Sequence, residues 1–164
     1  TGRGSVAMSG PAYGVALEIA LACDLRIGAT GAQYGLPQIR SGRMPFAGAT
    51  QRLPRLIGQG RAFDMVLTGD PLSAEQALRA GLVQRLVAAG QVNERATALA
   101  NAMAAASPLA MRLTKEALHS GLDLTLEQGL RMELDLYLLL FSTEDRVEGI
   151  TAFQRKRKPS FQGR

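Results

Sequence analysis

Ser9-Gly10-Pro11-Ala12-Tyr13-Gly14-Val15-Ala16-Leu17-Glu18-Ile19-Ala20-Leu21-Ala22-Cys23-Asp24 is the stretch on which the reading of this chain turns. A β-like run, Ser5 to Met8, ends at about Ser9, and Gly10 and Pro11 then turn the chain. A short helix is expected from about Val15. Its first backbone N–H groups lack intrahelical partners, so they face whatever lies above the turn and can bind a developing oxyanion. Glu18 falls in the first turn of that helix. There the apolar neighbours disfavour negative charge and the helix N-terminus favours it. A carboxylate under opposed influences is an acid/base candidate, yet position and residue type alone favour an exposed glutamate that complements the helix dipole.

Outward from this stretch the chain changes texture. Up to about residue 94 short β-like runs, such as Leu25 to Ile27 and Leu82 to Val87, alternate with short helical segments, which reads as α/β. Gln33 to Leu53 holds Gly35, Gly42 and Gly48 with Pro37 and Pro45, and is expected to be a long ordered loop leading into a helix. From residue 95 the pattern is helical. Ala96, Leu99, Ala100 and Met103 make one apolar face. Ser107 and Pro108 supply an N-cap and a first-turn proline, and Gly121 is placed to end that helix in the left-handed conformation. Thr125 and Gln128 have capping-box spacing. Leu126, Leu130, Leu134, Tyr137, Leu138 and Phe141 then form a stripe that calls for a large partner surface. The last helix is expected to carry Glu144 and Asp145 in its first turn and Lys156, Arg157 and Lys158 in its last, before Pro159.

Composition excludes several classes. With 164 residues, 46% hydrophobic and 20% charged, the chain has the make-up of one globular domain or a piece of a larger one. The net charge of +5 gathers near the C-terminus without interleaved aromatics or a recognised motif, so the expected partner is a few phosphates and not a nucleic acid. A single cysteine, Cys23, permits no internal disulfide, and no apolar run reaches membrane-spanning length; the expectation is a cytoplasmic protein with no membrane partner. The chain opens at Thr1 in what reads as a strand, and is taken as a fragment. His119 is the only histidine, without a second at metal-ligand spacing, so no metal is expected. Neither a Gly-x-Ser-x-Gly elbow nor a phosphate or dinucleotide glycine loop occurs.

These stretches resemble the crotonase (enoyl-CoA hydratase/isomerase) family. Its hallmarks are an Asn-Gly-x-Ala-x-Gly-Gly-Gly-x-Glu-Leu-Ala-x-x-Cys-Asp segment, a Phe-Gly-x-Pro-Glu loop and a Pro-Gly-x-Gly-Gly-Thr-Gln-Arg-Leu segment. They appear here as Ser9 to Asp24, Tyr34 to Gln38, and Pro45 to Leu53. The likeness continues through Leu67 to Asp70, Ala80 to Val83 and Glu144 to Pro159. It implies that residues 1–94 are the C-terminal part of an α/β, crotonase-like β-β-α spiral core, lacking its N-terminal half. It also implies that residues 95–164 are a helical region that assembles a homotrimer or hexamer.

Carried over by residue, the resemblance assigns Glu18 to the first catalytic glutamate and puts Gln38 at the position of the second. Val15, with Gly14, takes half of the oxyanion hole, and Tyr13, Pro37, Pro45 and Phe46 fall in the substrate pocket. Phe153 and Lys156 match positions that approach the CoA of a neighbouring subunit. The implied substrate is an acyl-CoA thioester, with coenzyme A belonging to the substrate and no separate cofactor. Three departures stand out: Gln38 can orient water but cannot shuttle a proton, Val15 is β-branched where a glycine is usual, and Phe46 replaces a loop glycine. The implied activity is that of an enoyl-CoA hydratase. The alternatives are an acyl-CoA-binding homologue of little activity or another enolate reaction such as isomerisation, decarboxylation or ring opening.

Overall fold

The computed structural model describes residues 4–164, so Thr1 and the expectation attached to it lie outside the described residues. Two compact units are present, one running to Ala100 and the other spanning Asn101–Arg164.

In the first unit the chain alternates between two three-stranded sheets. Strands β1 (Ser5–Met8), β3 (Leu25–Ala29) and β6 (Arg85–Val87) are parallel with β3 in the middle, Ser5 lying opposite Leu25 and Ile27 opposite Arg85. The second sheet joins β2 (Ala12–Tyr13) to β4 (Gln33–Gly35) in parallel, and β4 to β5 (Leu72–Ser73) in antiparallel. Each pass through the two sheets ends in a helix: β1 and β2 lead to α1 (Val15–Leu21), and β3 and β4 lead to α2 (Ala49–Ile57). This is the β-β-α progression of the crotonase-like α/β fold. β3 is buried from Arg26 to Ala29, as the middle of a parallel sheet should be. Beyond α2 come α3 (Gln59–Thr68), α4 (Ala74–Arg79) and α5 (Val92–Ala104), which contribute Met65, Ala77 and Val92 to a core with Leu17, Ile27, Leu36, Leu53 and Leu82. Removing a Leu, Ile or Met side chain from water is worth about 1.5–3 kcal/mol, so this core is the main stabiliser of the unit.

Two charged residues, Glu18 and Arg26, are buried in this unit. Arg26 donates from Nε to the Leu82 carbonyl (2.6 Å) and from Nη1 to the carbonyls of Cys23 (2.6 Å) and Ala20 (3.2 Å). It thereby braces the end of α1, where the Ala20 carbonyl also accepts from the Cys23 N–H (3.1 Å). Burial pulls its pKa below the usual value, partly offset by Cys23 and Asp24 nearby.

In the second unit α6 (Pro108–Gly121) and α7 (Leu126–Phe141) pack together, and Gly129 lies against the backbone of Gly121. Ser107 caps α6 and the Thr125–Gln128 capping box opens α7, as the spacing indicated. Two other expectations, at the ends of α6 and α8, are corrected. Gly121 remains helical and Leu122 follows it in a right-handed conformation. The stripe Leu126, Leu130, Leu134, Tyr137, Leu138 and Phe141 is exposed along its whole length, and the more buried positions of α7 are Met132, Leu136 and Leu140, a face with four-residue spacing. Finally, α8 (Glu144–Gln154) ends before Lys156, Arg157 and Lys158. There the left-handed residue is Lys156 (φ 51°), with the Arg157 N–H bonding the Ala152 carbonyl (3.0 Å) and the Lys156 N–H bonding that of Phe153 (3.1 Å). A lysine thus fills the closing position that glycine favours, at a cost of roughly 1 kcal/mol.

The basic residues past α8 fold back instead of capping it. Arg157 forms a fork with Glu148 (Nη1 to Oε1 2.6 Å, Nη2 to Oε2 2.7 Å), and the Ser160 N–H adds a bond to Oε1 at 2.7 Å. Asp145, nearly buried, accepts from the Ser107 hydroxyl and the N–H groups of Gln162 and Gly163. The Arg157 fork and the Ser160 amide hold the Glu148 carboxyl down at about 2 against an ordinary 4.5. A depressed carboxyl stabilises the fold fully above its unfolded value and loses that contribution as pH falls through the folded one. The C-terminal clamp is therefore expected to hold at pH 4.5 and to loosen only toward about pH 2. NMR titration of the Glu148 side-chain carboxyl checks this. Arg157→Met should move the midpoint up toward 4.5, and an unchanged midpoint would refute the assignment.

Candidate active site

The junction between β2 and α1 sets the site. Gly14 has φ 55° and ψ -128°, a conformation open essentially to glycine, and its N–H bonds the Gly35 carbonyl at 3.0 Å. The chain thereby leaves the second sheet and enters α1 in one residue. The Val15 N–H opens α1 and has no intrahelical acceptor, while the Glu18 N–H already bonds the Gly14 carbonyl at 3.0 Å.

Glu18 is completely buried, so the reading of an exposed, dipole-complementing glutamate does not hold. The neighbouring Ile19 is the exposed one, at 59%. The carboxylate is held by three donors. Gln38 Nε2 reaches Oε1 at 2.5 Å, and the backbone N–H groups of Phe46 and Ala47 reach Oε2 at 3.0 and 2.6 Å. All three are N–H groups, the pattern an acceptor-only carboxylate takes. The turn that presents Phe46 and Ala47 is closed by the Gly48 N–H on the Phe46 carbonyl (2.8 Å) and by Arg52 Nη1 on the Ala47 carbonyl (2.8 Å). Gly48 takes φ 87°, and a Cβ there would meet the Arg52 guanidinium.

Gln38 lies in a short 3-10 turn, Pro37–Ser41. The stretch Gln33 to Leu53, expected as a long ordered loop leading into a helix, does run into α2, but what precedes the helix is a strand, a 3-10 turn and a seven-residue loop from 42 to 48. While Nε2 is spent on Glu18, Gln38 Oε1 is buried without a partner. Leaving such an acceptor unmade is costly, and a water or substrate hydroxyl is the group that satisfies it.

A cleft of about 320 Å³ opens over this arrangement. Tyr13, Gly14, Val15, Pro37, Gln38 and Phe46 all line it. Pro45 does not: its side chain is the fully buried one of the loop. Ser41, Arg43 and Met44 also line the cleft, and sequence reasoning passed over them. Arg43 was open to notice as a cation between Gly42 and Met44 in a glycine-rich loop. The N–H donors of Phe46 and Ala47 carry no side-chain signal and could be found only in the fold. Phe153, on α8, and Lys156, just past it, belong to the second unit; Phe153 is 86% exposed. No group of three or more His, Cys, Asp or Glu that could hold a metal ion occurs among the described residues, and His119 is exposed on α6.

A family model described as Enoyl-CoA hydratase/isomerase matches residues 6–164. The chain belongs to the enoyl-CoA hydratase/isomerase family. Similar proteins include the 2,3-dehydroadipyl-CoA hydratase of Escherichia coli (46% identical, covering 96% of this chain and 62% of that protein). The (E)-benzylidenesuccinyl-CoA hydratase of Thauera aromatica is 44% identical over 96% of this chain and 61% of its own. The structure is similar to that of an enoyl-CoA hydratase from Bacillus anthracis, with a TM-score of 0.94 and 42% identity over 98% of this chain and 62% of that one. The chain thus spans about three fifths of the length of the relatives it matches. The family match runs through Glu18, Gln38 and the loop that anchors them.

In this enoyl-CoA hydratase/isomerase chain Glu18 has a structural role that can be measured apart from activity. An unpaired donor in a partly buried site costs roughly 1–3 kcal/mol, and replacing Glu18 by leucine strands three. Glu18→Leu is expected to lower the unfolding free energy by at least about 2 kcal/mol in a denaturant titration. Glu18→Gln, which keeps one acceptor oxygen, should lose less. Full stability in Glu18→Leu would show that the carboxylate does not anchor the loop.

Proposed function

We propose that the protein is an enoyl-CoA hydratase-type lyase acting on an α,β-unsaturated CoA thioester. Water adds its oxygen to the β-carbon as Glu18 takes up the water's proton, and the electrons move to the thioester oxygen to give an enolate. The N–H of Val15, at the open end of α1, donates to that oxyanion. Glu18 returns the proton to the α-carbon, so water is added overall and the carboxylate is regenerated. Gln38 Oε1, the buried acceptor without a partner, orients the water. The observation that carries this reading is Glu18 itself, a fully buried carboxylate fixed beneath a cleft lined by Val15 and Gln38.

Coenzyme A arrives as part of the substrate, and the chemistry needs no further cofactor. We place the protein in the cytoplasm as a homotrimer or hexamer. The lone cysteine supports the first, and the uncovered apolar stripe of α7 supports the second. Phe153 and Lys156 would then meet the CoA of a neighbouring subunit. No helix among the described residues is long and apolar enough to cross a membrane.

One observation favours a second reading, an acyl-CoA-binding protein with weak or no turnover: the three donors on Glu18 occupy much of its capacity to accept from water. The protein, expressed from its full reading frame, is incubated with crotonyl-CoA while the absorbance of the conjugated thioester is followed. Turnover that falls about a hundredfold or more in Glu18→Gln is expected for an acid/base residue. Equal turnover by wild type and Glu18→Gln would sink the mechanism. Tight calorimetric binding without turnover would establish the second reading.

A further inference from the structure

The loop from Gly42 to Gly48 carries one charged side chain, Arg43, and among the described residues it is the only charged one lining the cleft. Its place is fixed through Gln38. The Gln38 carbonyl accepts from the Arg43 N–H (3.1 Å) and from the Ser41 hydroxyl (3.0 Å), and Ser41 Oγ in turn accepts from Arg43 Nε (3.1 Å). Backbone and guanidinium are therefore both tied to the residue that binds Glu18. The two terminal nitrogens of Arg43 have no partner among the described residues, and no carboxylate lines the cleft to neutralise them. Glu18 cannot serve, since its oxygens are held below by Gln38, Phe46 and Ala47.

We propose that Arg43 sets substrate specificity by binding a carboxylate on the acyl group, so that the substrate class is an acyl-CoA bearing a second, distal acid. The proposal rests on the acyl-CoA reading of the cleft. A guanidinium held at Nε presents its remaining nitrogens as a planar fork, the geometry that matches a carboxylate with two parallel bonds. The cleft wall otherwise offers Tyr13, Val15, Met44 and Phe46, which suit the methylene or ring portion between the two acids. The phosphates of CoA are the other anions of such a ligand, but the pantetheine arm separates them from the thioester by its whole length. Arg43 shares Gln38 with the carboxylate at which the reacting carbons sit, so the anion it meets lies on the acyl side.

The test compares two six-carbon trans-2-enoyl-CoA substrates, one ending in a methyl group and one in a carboxylate. With the full-reading-frame protein, the dicarboxylic substrate should show a kcat/KM about tenfold or more above that of its methyl counterpart, the scale of one charge-assisted pair. Arg43→Met should reduce the ratio of the two kcat/KM values about tenfold, through KM, and Arg43→Lys should restore part of it. A ratio near one in wild type, or a ratio unchanged by Arg43→Met, overturns the proposal. An equal fall on both substrates assigns Arg43 to the thioester and overturns it too. If neither substrate is turned over, the hydratase reading has failed, and calorimetry with the two saturated acyl-CoAs decides the Arg43 question. Stronger binding of the dicarboxylic ligand that Arg43→Met abolishes upholds it, and equal binding ends it.

Discussion

A carboxylate removed from water must find donors or be expelled from the fold, and Glu18 finds three. That requirement organises the first unit. Donors from Phe46 and Ala47 pull the loop before α2 onto α1, and the Gln38 amide draws the 3-10 turn to the same point. Three segments, with Gln38 20 positions and Ala47 29 positions along the chain from Glu18, are joined at two oxygen atoms. The same bonds that make the loop ordered place the carboxylate under the cleft, so stability and chemistry share one residue. This is also why substitutions of Glu18 need a stability measurement beside any activity measurement.

The surrounding fold exists to bring the ends of several strands to that point. β2 and β4 run in parallel, and Gly14 converts the end of β2 into the start of α1 within one residue. A side chain with an ordinary backbone preference at Gly14 would disturb both the Gly35 pairing and the first turn of the helix. On the far side of α1, Arg26 gathers the carbonyls of Ala20 and Cys23 and ties them to Leu82, fixing the helix end to the strand beneath. The short helix is thus held at both ends by tertiary bonds, which matters because seven residues are too few to be stable alone.

The second unit solves a different problem. Its helices bury little, and the longest, α7, turns its richest apolar face outward. Internal order comes from polar fixings: the Ser107 and Thr125 caps, the Asp145 hub and the Arg157 to Glu148 fork. An uncovered apolar face of that length is the observation behind the proposed assembly. Gain of a covered face through assembly would add the apolar burial that the unit lacks alone.

Much of this was written in the residue order. The strands at Ser5 and Leu25, the helix from Val15 and the caps at Ser107 and Thr125 depend on local spacing and are found where they were read. The short strands Ala12–Tyr13, Gln33–Gly35 and Leu72–Ser73 carry no such pattern, and the run from Leu82 pairs only over Arg85–Val87. What local spacing left open was burial. Glu18 has the same first-turn position whether it faces solvent or core, and only the packing of the 45 to 47 loop onto α1 settles that it is buried and bonded. The stripe on α7 shows the same limit from the other side, since periodicity identifies an apolar face but not what covers it. Gly121 and Lys156 show it for helix ends: a glycine permits a left-handed turn, while the folded-back segment after α8 imposes one on a lysine. The sequence by itself determined the family, the α/β order and the residue types at the site, because those follow from local pattern. Which groups touch Glu18, that Pro45 is buried and that Arg43 lines the cleft were settled only by packing, because donors separated by tens of residues meet only when the chain is folded.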